Sequence, residues 1–343
     1  MTRVIPGDDG GRFRRSLFWS VVALALAAVS ASARAEEPVR IGIGFGLAFL
    51  PIYLCDDLKL VEKYGREARL DLKAHYERFL GAAPLQDAIR AGTIDMGPFG
   101  IAPLLAAWEK AKGTPRQILA VSGITSLPLV LLSDRANVHT IADFKPADQI
   151  AMPAASSPQK YLLQMQSEKI LGRYDRLAGQ IVILPHPDAV AALMAATGPV
   201  AGYFSSAPYT QIALVEGRIH KVLSSTDVID GGASFIVMGA TRAYIAAHPK
   251  IPEVIAKAIE EAARLIRDDP RRAAQIFLAH EPSKTLDAAH VEAVVRDIRG
   301  EFGSALRGVG AFADFMGRHG ELPSPPQSWK DIVAPALLNS PST

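Results

Sequence analysis

Hydrophobic and polar positions along the chain fall into two alternating rhythms from residue 39 to about 240, and into one rhythm after that. Short β-rich runs predict strands at 39–45, 70–76, 94–96, 117–122, 129–132, 149–152, 181–184, 200–204, 221–223 and 235–238. Between them, stretches of helical spacing predict helices near 50–64, 83–91, 100–111, 158–171, 188–196 and 208–215. Nearly every strand is followed by a helix, which predicts α/β architecture with largely parallel sheets and ligand sites at the strands' C-terminal ends. Past residue 240 the pattern is helical alone. Val254, Ile255, Ala258, Ile259, Ala262, Leu265 and Ile266 form one apolar face over 253–267, as in a helix packed on a finished domain. The proline-rich tail Leu322-Pro323-Ser324-Pro325-Pro326 predicts a segment wrapped over the surface.

The first 35 residues follow a different rule. Arg3, Arg12, Arg14 and Arg15 precede the apolar run 17–29, and Ala33-Arg34-Ala35 follows it. This order predicts a secretory signal cleaved after Ala35, and hence a periplasmic protein. The apolar run is well short of the roughly 20 residues that span a bilayer, so no stable membrane insertion is expected. Arg14-Arg15 leaves general and twin-arginine export both open.

The signal also changes the charge. Of 37 basic and 35 acidic residues, residues 1–35 hold five Arg and two Asp, leaving 32 against 33. A mature chain near −1 with no basic run gives no footprint for nucleic acid. Charged residues make up 21% and AVILMFWYC residues 49%, a globular composition. Cys55 is the single cysteine, so stability rests on the core and not on a disulfide.

Catalytic motifs are missing. Gly42, Gly44 and Gly46 suggest a dinucleotide turn, but G-x-G-x-x-G would need glycine where Leu47 or Phe49 stands. No G-x-S-x-G, H-E-x-x-H, C-x-x-C or Walker A sequence occurs, and the eight histidines are scattered. His186-Pro187-Asp188 reads as a strand-to-helix turn with Asp188 as N-cap. No enzyme, metal or cofactor is expected.

What the chain offers instead is a set of uncharged strand-end loops that are small, aromatic or hydroxylic, suited to holding a ligand. They give the candidate binding residues Phe45, Gly46, Phe79, Gly81, Pro98, Phe99, Thr125, Ser126, Ser156, Ser157, Tyr203 and Ser205. Ser157 reads as an N-cap, Pro158 as the first helical residue and Gly172 as the stop. The only cation beside these loops is Arg78. The pattern G-x-F-x-x-A-P occurs twice, at 97–103 and 202–208, and suggests matching loops on two lobes that face across a cleft.

With these loops placed, the chain resembles the solute-binding proteins of nitrate, sulfonate and taurine ABC importers and the related thiamine-precursor binders. The resemblance is most specific over 85–97, with its helix followed by Gly92-Thr93-Ile94-Asp95-Met96-Gly97. Leu60-Val61-Glu62-Lys63-Tyr64-Gly65, Thr140-Ile141-Ala142-Asp143-Phe144 and Ser156-Ser157 also match. Two departures stand out. Lys59 stands where glycine is usual, and Gly198-Pro199-Val200-Ala201-Gly202 lacks the usual Asp. The resemblance implies a type II periplasmic-binding-protein fold, two α/β lobes around a cleft joined by two crossing segments near 126–132 and 226–239. It divides the chain into lobe I (36–128), lobe II (129–228) and a return to lobe I with C-terminal helices and tail (229–343). Gly231-Gly232 is the expected hinge. It further implies a monomeric receptor that passes a small organic solute, sulfonate-, nitrate- or taurine-like or else aromatic and pyrimidine-like, to permease subunits. The alternatives are a thiamine-pyrimidine-synthase-like enzyme on the same scaffold and a solute-sensing module for a sensor kinase or chemoreceptor.

Overall fold

The computed structural model describes residues 1–2, 36–79, 82–283, 286–339 and 342. The expected signal and its cleavage point lie outside the described residues, as does Gly81. The chain divides into a leading unit, Met1–Glu37, and a main unit, Pro38–Thr343, which carries the elements below apart from the first residue of β1.

The strands are β1 (Glu37–Ile43), β2 (Leu72–Arg78), β3 (Met96–Gly100), β4 (Ile118–Thr125), β5 (Val130–Ser133), β6 (Gln149–Met152), β7 (Ile181–Ile183), β8 (Val200–Ser205), β9 (His220–Ser224) and β10 (Ile236–Thr241). The helices are α1 (Leu50–Asp57), α2 (Leu60–Glu67), α3 (Ala82–Ala91), α4 (Ile101–Lys110), α5 (Pro158–Leu171), α6 (His186–Ala195), α7 (Tyr209–Leu214), α8 (Ser225–Val228), α9 (Arg242–Ala247), α10 (Ile251–Asp268), α11 (Pro270–His280), α12 (Ala288–Ile298) and α13 (Val309–Arg318).

The strands form two five-stranded sheets, ordered β2-β1-β3-β10-β4 and β7-β6-β8-β5-β9. The chain passes from the first sheet to the second between β4 and β5, and returns between β9 and β10. The sheets are mixed, not largely parallel. β1 runs parallel to β3, and β6 runs parallel to β7 and β8. β10 is antiparallel to both β3 and β4, and β5 is antiparallel to both β8 and β9. The reversed strands are the two delivered by a crossing between sheets, where no βαβ connection imposes a parallel direction.

A single helix over 50–64 is replaced by α1 and α2. Lys59 separates them in the left-handed conformation, with φ of 51°. Glycine adopts that geometry without strain, whereas a residue with a side chain carries some. Lys59 instead reaches back to Asp56 at 3.0 Å.

α10 buries Val254, Ile255, Ala258, Ile259, Ala262 and Ile266 and packs on β4, α1 and α2. The exposed edge of β4 is covered by later chain. Gly123 N–H donates to Ser304 O at 2.7 Å, and Ala334 N–H donates to Ala120 O at 2.8 Å. Covering an edge in this way removes a template for strand addition. α13 packs on α4, beside the first sheet, and its side chains reach α5, beside the second. Its Phe312 meets Tyr161 edge-on at 6.4 Å, and Arg318 and His319 each reach Glu168 at 3.0 Å. One core fills the first sheet and reaches the second, and a smaller one around Val130, Leu132, Leu193 and Tyr203 lies under α6 and α7.

Candidate functional site

The first half of the site grows from the end of β1. After Ile43 the chain needs a sharp turn into α1, and Gly46 provides it with φ of 102°. Gly46 N–H donates to Glu281 Oε1 at 2.6 Å. On α1 the fully buried Tyr53 places its hydroxyl between the same Glu281 oxygen and Gly44 O, the latter 3.0 Å away. Burial, and then the neighbouring Glu281 charge, push the Tyr53 hydroxyl pKa up, so it remains a donor. At the end of β2, the Arg78 guanidinium lies over the Phe45 ring at 4.8 Å and over Tyr53 at 5.2 Å. It also donates to His280 O at 3.4 Å. His280 stacks on Tyr53 at 4.6 Å and bonds Asp57 at 2.8 Å. Phe45 is 44% exposed, a large aromatic held at the surface by a cation.

The second half comes from the loop after β8. Ala207 O stands 3.9 Å from where a Gly46 side chain would begin, so this loop meets the first one directly. Tyr209, at the start of α7, stacks on His186 at 5.2 Å and 12°. Its hydroxyl pKa is raised by burial and then by the charge of Glu281. His186 Nδ1 bonds the Tyr203 hydroxyl, and its Nε2 lies 3.4 Å from Ser206 Oγ. Burial lowers the His186 pKa to about 4, so the ring is neutral at physiological pH. A second contact between the two sheets' elements brings Gly100, at the end of β3, against the Pro158 ring.

The residues picked from sequence divide clearly in position. Phe45 and Gly46 lie at this junction, and half-buried Phe79 follows Arg78, its N–H bonded to Ile43 O. Ser156 is exposed at the start of α5. Ser157 occupies the N-cap position but makes no capping bond; its hydroxyl is buried and unpartnered, as is the side chain of Gln159. Pro98 and Phe99 lie in the core, where Phe99 fills the space beside Gly239. Thr125 Oγ1 donates to Glu301 O at 3.1 Å, and Ser126 N–H donates to the same oxygen at 2.7 Å. Ser205 donates to Val130 O at 2.8 Å. Tyr203 is fully buried with its hydroxyl on His186. The expectation that Phe99, Thr125, Tyr203 and Ser205 turn polar or aromatic groups toward a ligand therefore meets side chains already occupied within the protein.

Tyr53, Arg78, His186, Tyr209 and Glu281 carry most of the polar chemistry of the junction, and all lie outside the residues chosen from sequence. The turn before α6 also differs from its expectation. The helix begins at His186 with Pro185 as N-cap, and Asp188 sits in the first turn. Among the described residues no group of three or more His, Cys, Asp or Glu could hold a metal ion. Among them, too, no helix is long and apolar enough to cross a membrane.

The matching family model is the NMT1-like family, over residues 34–279, most of the chain. The chain belongs to the NMT1-like family. No curated protein matches it significantly. Among solved structures it is similar to the periplasmic aliphatic sulphonate binding protein SsuA from Escherichia coli, at 22% identity and a TM-score of 0.67, covering 87% of this chain and 92% of that one. It is also similar to the alkanesulfonate-binding protein SsuA from Xanthomonas axonopodis pv. citri bound to MOPS, at 20% identity, a TM-score of 0.65 and coverage of 88% and 97%. The periplasmic nitrate-binding protein NrtA from Synechocystis PCC 6803 matches at 12% identity and a TM-score of 0.57, covering 76% of this chain and 70% of that one. With this NMT1-like family assignment the two-sheet architecture is a periplasmic-binding-protein fold.

Proposed function

We propose that this protein is the extracytoplasmic solute receptor of an ABC importer. In this reading it binds a small organic solute between lobes 36–128 and 129–228, without turnover, and delivers it to permease subunits as a monomer. The observation that carries the reading is the meeting of the Phe45-Gly46 loop with the Ala207-Pro208-Tyr209 loop, each at the strand end of a separate sheet. In open α/β sheets, ligands bind outside the strands' carboxyl ends. Membership of the NMT1-like family and the fold shared with sulfonate and nitrate receptors support it.

Closure needs a hinge. Gly231 and Gly232 lie in the return crossing with φ of 74° and 73°, a conformation that other residues adopt with strain. We assign them that role, with the unpartnered Ser157 hydroxyl and Gln159 amide available to a ligand from the second lobe. Export follows from residues 1–35, with cleavage after Ala35.

The test is a thermal-shift screen of the purified protein against sulfonates, nitrate, amines, carboxylates and pyrimidines. A true ligand at a hundredfold excess over its Kd should stabilise the fold by about 3 kcal/mol. A screen in which no class raises Tm would count against the receptor reading.

A further inference from the structure

The corner made by Gly46 and Tyr53 has the donors that a compact anion would use, the backbone N–H of the Gly46 turn and a buried hydroxyl, with the Arg78 cation beside them. That corner is already filled. Glu281 Oε1 accepts the Gly46 N–H at 2.6 Å and the Tyr53 hydroxyl proton. Arg78 is engaged with the Phe45 and Tyr53 rings and with His280 O. Glu281 comes from the end of α11, more than two hundred residues along the chain from Gly46, and lies beyond the stretch matched by the family model.

We propose that Glu281 is a built-in anionic occupant of this corner, so that the cleft refuses a compact oxyanion there and favours a ligand that presents an N–H or ammonium donor. A second carboxylate or sulfonate would have to displace Glu281 from two hydrogen bonds and lie next to its charge, and like charges at contact repel. A donor meets the opposite situation. Both protein contacts use Oε1, and a carboxylate has acceptor capacity for about four hydrogen bonds, so Glu281 can take a donor without giving up Gly46 or Tyr53. Among the described residues, Glu281 is the acidic side chain that bonds both Gly46 and Tyr53.

The inference rests on the receptor reading but is tested apart from it. Thermal unfolding and calorimetric titration would compare wild type with Glu281→Ala in acetate, nitrate and ethanesulfonate, each against chloride at matched ionic strength. Wild type should show no anion-specific shift. Glu281→Ala should melt lower and be raised by acetate or ethanesulfonate, binding them roughly tenfold or more tighter than wild type does. If Glu281→Ala does not fold, Glu281→Gln serves instead, and it should bind ethanesulfonate more tightly than wild type because the charge is gone. Equal binding of these anions by wild type and variant, or no response from a folded variant, overturns the proposal. Failure of every solute on wild type, by contrast, bears on the receptor reading and leaves this anion comparison standing.

Discussion

Asp95 holds Arg40 three times over. Its carboxylate accepts the Arg40 backbone N–H at 2.7 Å, Nε at 3.1 Å and Nη2 at 2.5 Å, while Asp95 N–H donates to Arg40 O at 2.9 Å. The pair sits beside the Ile41 and Met96 register that joins β1 to β3. Asp95 is the acidic residue of the Gly-x-Ile-Asp-x-Gly run that carries the family resemblance, and here it clamps β1 to the start of β3. Its side chain is nearly buried, so removal strands the Arg40 N–H. Asp95→Ala should cost about 2–3 kcal/mol in urea unfolding, and Asp95→Asn less, since the amide oxygen still accepts one bond. Unchanged stability in Asp95→Ala would show that the clamp contributes nothing.

His186 predicts an acid limb in stability. Its folded pKa, held near 4 by burial, lies below its ordinary value of 6.5. Between those values the unfolded chain binds a proton that the folded chain refuses. The contribution is therefore complete above pH 6.5 and lost as pH falls toward 4, a span worth on the order of 3 kcal/mol. Carboxylates add their own acid dependence, so the quantity to measure is the difference between wild type and His186→Gln, by urea unfolding at pH 7.5 and again near the lower end. Parallel pH profiles for the two proteins would rule out His186 as the source.

Phe45 and Tyr203 should separate binding from folding. Phe45→Ala removes an exposed ring, and with it a cation–π contact of about 0.5–1 kcal/mol. Its Tm should barely move while ligand affinity falls tenfold or more. Tyr203→Ala empties a fully buried site and should destabilise by about 3–5 kcal/mol, whatever it does to binding. If Phe45→Ala binds the screened ligand as wild type does, the cleft mouth is misplaced.

Much of the framework was legible because local chemistry dictated it. α5 begins at Pro158 and stops before Gly172, at φ of 75°, as its cap residues indicate. The direction of β5 and β10 was not legible, because it depends on which sheet a crossing delivers the strand to, and no local pattern encodes that. Lys59 hid a helix break behind a residue with ordinary helix propensity. The site was harder still. β8 is buried along its whole length, so alternation could not tell a cleft-facing Tyr203 from a core one. Glu281 is an unremarkable acid at a helix end until the fold brings it to Gly46.

Gly100 offers a direct test of closure. Its φ of −63° and ψ of 152° suit any residue, so alanine there brings no backbone strain. A Cβ would instead stand 2.9 Å from Cδ of Pro158 and 3.3 Å from Cδ of Pro103. The first of these atoms belongs to a rigid ring at the start of α5, beside the second sheet, which cannot swing aside. Overpacking of this kind costs about 1–3 kcal/mol. If it falls only on the closed arrangement, Gly100→Ala should keep its unfolding stability and lose roughly tenfold to a hundredfold in ligand affinity. Small-angle scattering should show a larger radius of gyration. Adding Pro158→Ala removes the opposing ring and should restore both. Wild-type affinity in Gly100→Ala would show that the two lobes do not need this contact to close, and a loss that Pro158→Ala fails to rescue would place the effect within α4 through Pro103.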